Sequence, residues 1–119
     1  MTVKECYLAF GGDYDGVMAR MPDEKFVAEF LGMFLEDECY PMLKEALEAK
    51  NAEAAFQAVH SLKGICQNFG YTKLFQSSSN LTELLRGGSM EGTEQSMLQV
   101  DEDYRRMIEI IKKLDVESE

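Results

Sequence analysis

Apolar residues recur at intervals of three and four along most of this chain, and no segment alternates convincingly at period two. That periodicity limits the possible folds more than any other feature. Steps of three and four return to one face of an α-helix, whereas a half-buried strand needs steps of two. The clearest run is Ala55, Val59, Leu62, Cys66 and Phe69, spaced 4, 3, 4 and 3. Met97, Val100, Tyr104, Met107, Ile111 and Leu114 repeat the pattern late in the chain, and Val27, Phe30, Leu31 and Phe34 do so earlier. Each stripe covers one side of its helix, so the helices must bury their stripes against one another.

Capping and breaking residues divide the pattern into elements. Thr2-Val3-Lys4-Glu5 reads as a capping box opening a short helix that Gly11-Gly12 ends. Asp13 to Met21 is ambiguous. Pro22 precedes a new start, with Asp23 and Glu24 favourable in a first turn. The long helix that follows meets Pro41, which inside a helix removes a hydrogen bond and clashes with the carbonyl of Asp37. A kink, or a break near Asp37 to Tyr40, is expected before Leu43 and Leu47 resume the stripe. Asn51 is a good N-cap for a helix over about Ala52 to Phe69, and Gly70 suits its end. Thr72 is expected to cap the next helix, to about Arg86, whose middle is narrowed by Ser77-Ser78-Ser79. Gly87-Gly88 stops it, Ser89 to Gly92 forms a loop, and Thr93 opens the last helix. The acidic Asp101 to Asp103 and the basic Arg105, Arg106, Lys112 and Lys113 fall mostly on its outer face. Short connections between long amphipathic helices imply antiparallel neighbours. The expected fold is all-α: an antiparallel up-down-up-down four-helix bundle with a short additional N-terminal helix, forming a single domain over residues 1–119.

Charge and composition narrow the function classes. The 12 basic and 22 acidic residues leave a net charge of −10. Nucleic acid and anionic membranes both require a cationic footprint, so neither is an expected partner, and positively charged protein patches are. No apolar run reaches the roughly 18–20 residues needed to cross a bilayer. Met1 to Phe10 contains Lys4 and Glu5 and lacks a signal peptide's apolar stretch, which makes the cytoplasm the expected compartment. The three cysteines, Cys6, Cys39 and Cys66, sit among apolar neighbours at helical positions and read as buried reduced thiols rather than a disulfide or metal set. The 8 methionines read as core gap fillers before a Met-lined groove. No metal or cofactor is expected, and a monomer is.

The chain has a single histidine, His60. It lies one step, about 100°, from Val59 and two steps, about 200°, from Leu62, so it points away from the buried stripe. Phe56 and Gln57 lie one turn before it, Lys63 and Gly64 one turn after, and Gln67 two turns after. Lys63 is a mobile cation within reach of a group placed on His60, though a solvated surface lysine is the ordinary reading. A glycine inside a helix costs roughly 1 kcal/mol relative to alanine. Gly64 therefore serves either close helix packing or an opening beside the imidazole.

At these residues the sequence resembles the histidine-containing phosphotransfer (HPt) domains. The resemblance rests on His60-Ser61-Leu62-Lys63-Gly64, an H-x-L-K-G signature on a helix ending in Gly70, with Ala55 to Val59 before it and Asn68 to Leu74 after it. Phe10 to Tyr14 and Phe30 to Asp37 are also similar, and Leu81 to Arg86 is similar to stand-alone bacterial members. The likeness runs from about Cys6 to Arg86, with the last helix alike only in pattern. It implies a phosphorelay intermediate in two-component signal transduction, with His60 phosphorylated at Nε2. Lys63 would neutralise charge and Gly64 would permit close docking. The chain would be no enzyme: a histidine kinase and a response-regulator receiver domain would be the partners and supply the chemistry. Phe56, Gln57 and Gln67 would contribute to the docking surface. Many members orient the imidazole with Gln or Glu from the next helix. The matching position here is Thr82, so Thr82, Glu83 and Asn80 are the orienting candidates.

Two other classes compete. A helical adaptor could dock a signalling partner without carrying phosphate, but it has no need for His, Lys and Gly in this arrangement. A metal-binding bundle would need Glu-x-x-His pairs, and Gln57 stands three residues before the only His.

Overall fold

A computed structural model describes residues 1–114. Seven helices account for the regular structure among them: α1 (Val3–Phe10), α2 (Tyr14–Arg20), α3 (Glu24–Phe34), α4 (Cys39–Glu48), α5 (Ala52–Phe69), α6 (Thr72–Arg86) and α7 (Thr93–Ile111). No strand occurs among the described residues. The arms of a four-helix bundle are α3 with α4, α5, α6 and α7, and α1 and α2 close one end. The molecule is elongated, at 46 × 23 × 18 Å.

Local chemistry sets most boundaries as expected. The Thr2 hydroxyl accepts from the Glu5 N–H at 3.1 Å while the Glu5 carboxylate accepts from the Thr2 N–H at 2.9 Å, closing the capping box. Asn51 caps α5 by accepting from the Ala54 N–H at 3.1 Å. Gly11 and Gly70 end α1 and α5 at φ of 74° and 71°. At Gly70 the need for glycine is also steric, because a Cβ there would lie 2.9 Å from the Asp13 carbonyl oxygen.

Pro41 coincides with a break rather than a kink. The chain leaves α3 through three tight i→i−3 bonds, from Leu35, Glu36 and Asp37 to the carbonyls of Gly32, Met33 and Phe34. It restarts at Cys39, whose N–H donates to the Asp37 carboxylate at 2.8 Å. Pro41 is then the third residue of α4, where a missing N–H loses nothing because first-turn N–H groups lack helical partners.

Several expectations are corrected. The bundle carries two short N-terminal helices instead of one. The ambiguous Asp13–Met21 stretch forms α2, capped by the Asp13 carboxylate accepting from the Gly16 N–H at 3.0 Å. Thr72 does not cap α6. It is that helix's first residue, the capping position falls on Tyr71, and the Thr72 hydroxyl turns back to the Gly70 carbonyl at 3.4 Å. Thr93 opens α7 as expected, with Gly92 in the N-cap position. Asp103 leaves the expected outer face of α7: it is buried and accepts from the Gln99 amide at 3.1 Å. Cys6 and Cys66 are buried and in no disulfide, whereas Cys39 is only half-buried.

The core runs the length of the bundle and thickens into an aromatic cluster where α1 and α2 meet it. Tyr71 lies 5.7 Å from Phe10 and 5.3 Å from Phe34, ring centre to ring centre. Phe30 of α3 stacks on Phe69 of α5 at 4.5 Å. Ser77 and Ser78 are buried in α6, and their short side chains leave room for close packing against α5.

Candidate functional site

The histidine stands on α5, and α5 is the most firmly tethered helix of the bundle. Ala55, Ala58, Val59, Leu62 and Cys66 are buried along its inner face. A helix end leaves carbonyls without partners; here the N-terminal helices supply donors. The Tyr7 hydroxyl donates to the Phe69 carbonyl at 2.7 Å, and the Arg20 guanidinium donates to the carbonyls of Asn68 and Gln67 at 3.0 and 3.4 Å. The α1–α2 and α5–α6 turns also exchange backbone bonds, Asp13 N–H to Gly70 at 2.8 Å and Lys73 N–H to Gly11 at 3.1 Å.

With the inner face fixed, the outer ridge of α5 faces solvent. Gln57, His60, Ser61, Gln67 and Asn68 are exposed, while Phe56, Lys63 and Gly64 are half-buried. Spacing left Gly64 between helix packing and an opening. A Cβ added there would meet nothing within 4 Å, so no packing neighbour requires glycine.

The His60 ring lies nearly parallel to that of Phe56, one turn back, with centres 5.7 Å apart and planes 9° apart. A second neighbour of Phe56 comes from α6: the Arg86 guanidinium sits 5.4 Å from its ring centre. Arg86 in turn is held by a forked pair of bonds to the Glu83 carboxylate, at 3.0 and 3.2 Å. The hydrogen bond from Arg86 holds the Glu83 carboxyl below its ordinary range, and the Arg86 and Lys63 charges act in the same direction. Phe56, His60, Lys63, Glu83 and Arg86 thus form one connected surface group.

The orienting candidates behave differently. Thr82 is fully buried, and its hydroxyl donates to the Ser78 carbonyl at 2.7 Å. Glu83 is engaged with Arg86, and Asn80 is exposed. Among the described residues, none of the three makes a hydrogen bond with the imidazole. Arg86 was not among the sequence candidates. The one signal available was register, since Phe56 and Arg86 each lie fifteen residues from Tyr71, at the turn between two antiparallel helices.

Among the described residues, no group of three or more His, Cys, Asp or Glu is placed to hold a metal ion, and no helix is long and apolar enough to cross a membrane. The imidazole stands on the exposed ridge of α5. A helical bundle that sets its imidazole on an exposed ridge can present that group to another macromolecule.

The family comparison narrows that class. Residues 29–110 match the family model of the Hpt domain, and the chain belongs to that family. Hpt domains are phosphocarrier modules of two-component phosphorelays, so membership implies histidine phosphotransfer. The match starts inside α3 and ends inside α7. It therefore takes in most of the last helix and leaves out α1, α2 and the likeness read at Phe10 to Tyr14. No curated protein and no solved structure matches the chain significantly.

Proposed function

We propose that this chain carries a phosphoryl group on Nε2 of His60, receiving it from and passing it to a histidine kinase or receiver domain. The observation that supports this reading most directly is the placement of His60: the chain's sole imidazole, exposed on α5, one turn from the open space over Gly64.

In the transfer, the Nε2 lone pair attacks the phosphorus of an aspartyl phosphate on a receiver. The N–P bond forms as the P–O bond breaks, and the aspartyl carboxylate leaves with the bonding electrons. The proton on Nδ1 stays in place, which requires the neutral Nδ1–H tautomer before attack. Return of the phosphoryl group runs the same steps backwards. Such a transfer depends mainly on positioning and charge stabilisation. Lys63 supplies an ammonium one turn from the phosphorylated nitrogen. Gly64 leaves room for the partner's backbone, and Phe56, Gln57 and Gln67 form the surrounding contact surface. The partner provides the rest of the chemistry, so this chain acts as a carrier and not as an enzyme. The reading includes one domain over residues 1–119, acting as a monomer in the cytoplasm. A net charge of −10 favours solubility and positively charged partners.

The test is incubation with a phosphorylated receiver domain, followed by assay for acid-labile, alkali-stable phosphate on the chain. Wild-type protein should acquire it and His60→Gln should not. Equal uptake by the variant would overturn the assignment. Stable partner binding without any uptake by the wild type would favour a non-phosphorylated adaptor.

A further inference from the structure

We propose that Arg86 is a positioning residue for His60 and acts through Phe56. The inference rests on the carrier reading and adds to it the means by which the imidazole is oriented. An exposed histidine ring turns about its terminal torsion unless something restrains it, and that torsion is broad. A hydrogen bond to one ring nitrogen is the usual restraint. Here the ring makes no such bond to Thr82, Glu83 or Asn80, and the Thr82 hydroxyl is already donated to Ser78.

Stacking takes its place. The imidazole lies 9° from parallel with Phe56. Phe56 is restrained from the α6 side by the guanidinium 5.4 Å from its centre, a contact favoured by the negative face of the aromatic ring. The guanidinium is itself fixed by the two-point bond to Glu83, for which its planar fork is preorganised. The Glu83 carboxyl is held below its ordinary range, so the fork persists at neutral and mildly acidic pH. The restraint therefore runs from Glu83 to Arg86 to Phe56 to His60. It couples the end of α6 to the ring plane on α5 without a hydrogen bond from Thr82, Glu83 or Asn80 to the ring nitrogens.

The experiment measures phosphoryl transfer from a phosphorylated receiver as a function of receiver concentration, together with NMR of the single histidine. Arg86→Ala should lower the transfer rate at saturation by about two- to fivefold, the size expected for loss of an exposed cation–ring contact. The half-saturating receiver concentration should stay within about twofold of wild type. The His60 ring protons should lose part of the upfield shift imposed by the stacked Phe56 ring, and Phe56→Leu should remove it. Arg86→Lys keeps a cation but cannot form the two-point bond to Glu83, so it should restore only part of the rate. The proposal is overturned if Arg86→Ala changes only the half-saturating concentration or if the His60 resonances do not move. Should wild-type protein accept no phosphate, the carrier reading and this inference fall together. Should wild type and Arg86→Ala accept it equally, the positioning role alone falls. The Arg86 side chain is 53% exposed, so its loss leaves the fold intact.

Discussion

At the scale of single residues, the site separates into what spacing reveals and what it hides. His60, Lys63 and Gly64 are legible because they share one helix, and helical geometry alone places them on one ridge. Arg86 is not, because its link to Phe56 crosses between helices and depends on their register. Thr82 stands at the position that the family resemblance matches to the orienting residue, yet its hydroxyl bonds within its own helix at Ser78. Threonine inside a helix often bonds its own backbone in this way, and sequence does not disclose which partner it takes. The open space over Gly64 yields a sharp prediction. Gly64→Ala adds a methyl that touches nothing, so it should stabilise the fold by up to about 1 kcal/mol through helix propensity. The same methyl should slow phosphoryl transfer by obstructing the partner. Denaturant melts and transfer assays on one sample should therefore move in opposite directions, and a parallel change would discount the opening as functional.

At the scale of elements, the long helices were readable from their periodic stripes, and α5 has the bounds the pattern indicates. The misread elements are short or punctuated. The seven residues of α2 are too few to show a stripe, and its existence depends on the Asp13 cap and on packing against α1 and α3. Pro41 left kink and break equally open, because the outcome turns on whether Asp37 can end one helix and start the next. The α1–α2 and α5–α6 turns bind each other through Gly70, which makes that glycine unlike Gly64. Gly70→Ala should destabilise the protein by more than about 1 kcal/mol, because alanine is disfavoured at φ 71° and its Cβ would press on the Asp13 carbonyl. Urea melts comparing the two glycine variants should show shifts of opposite sign.

At the scale of the whole molecule, the all-α bundle was legible because every long segment told the same story. The placement of α1 and α2 against the end of α5 was not, since it rests on long-range bonds from Tyr7 and Arg20. The burial of phenols and thiols in the bundle has a cost at high pH. Burial raises the Tyr7, Tyr40 and Tyr71 phenols above the ordinary 10.0, and pushes the Cys39 thiol up to about 12 from 9.0. A group whose folded value is raised stabilises fully below its unfolded value and loses that contribution as pH climbs towards the folded one. Stability should hold level to about pH 9, fall as unfolded-chain thiols ionise, and fall more steeply beyond about pH 10 as phenols follow. Urea midpoints between pH 7 and 11 would check this, and Tyr71→Phe should flatten the upper part of the curve.

On the proposed reading the exposed ridge of α5 also governs traffic. With a single exposed imidazole, donor and acceptor would use the same doorway in turn. No ternary handover would then form, and every cycle would include a departure before the next arrival. The throughput of such a shuttle is then capped by how fast its first visitor leaves, and an excess of either visitor throttles delivery to the other.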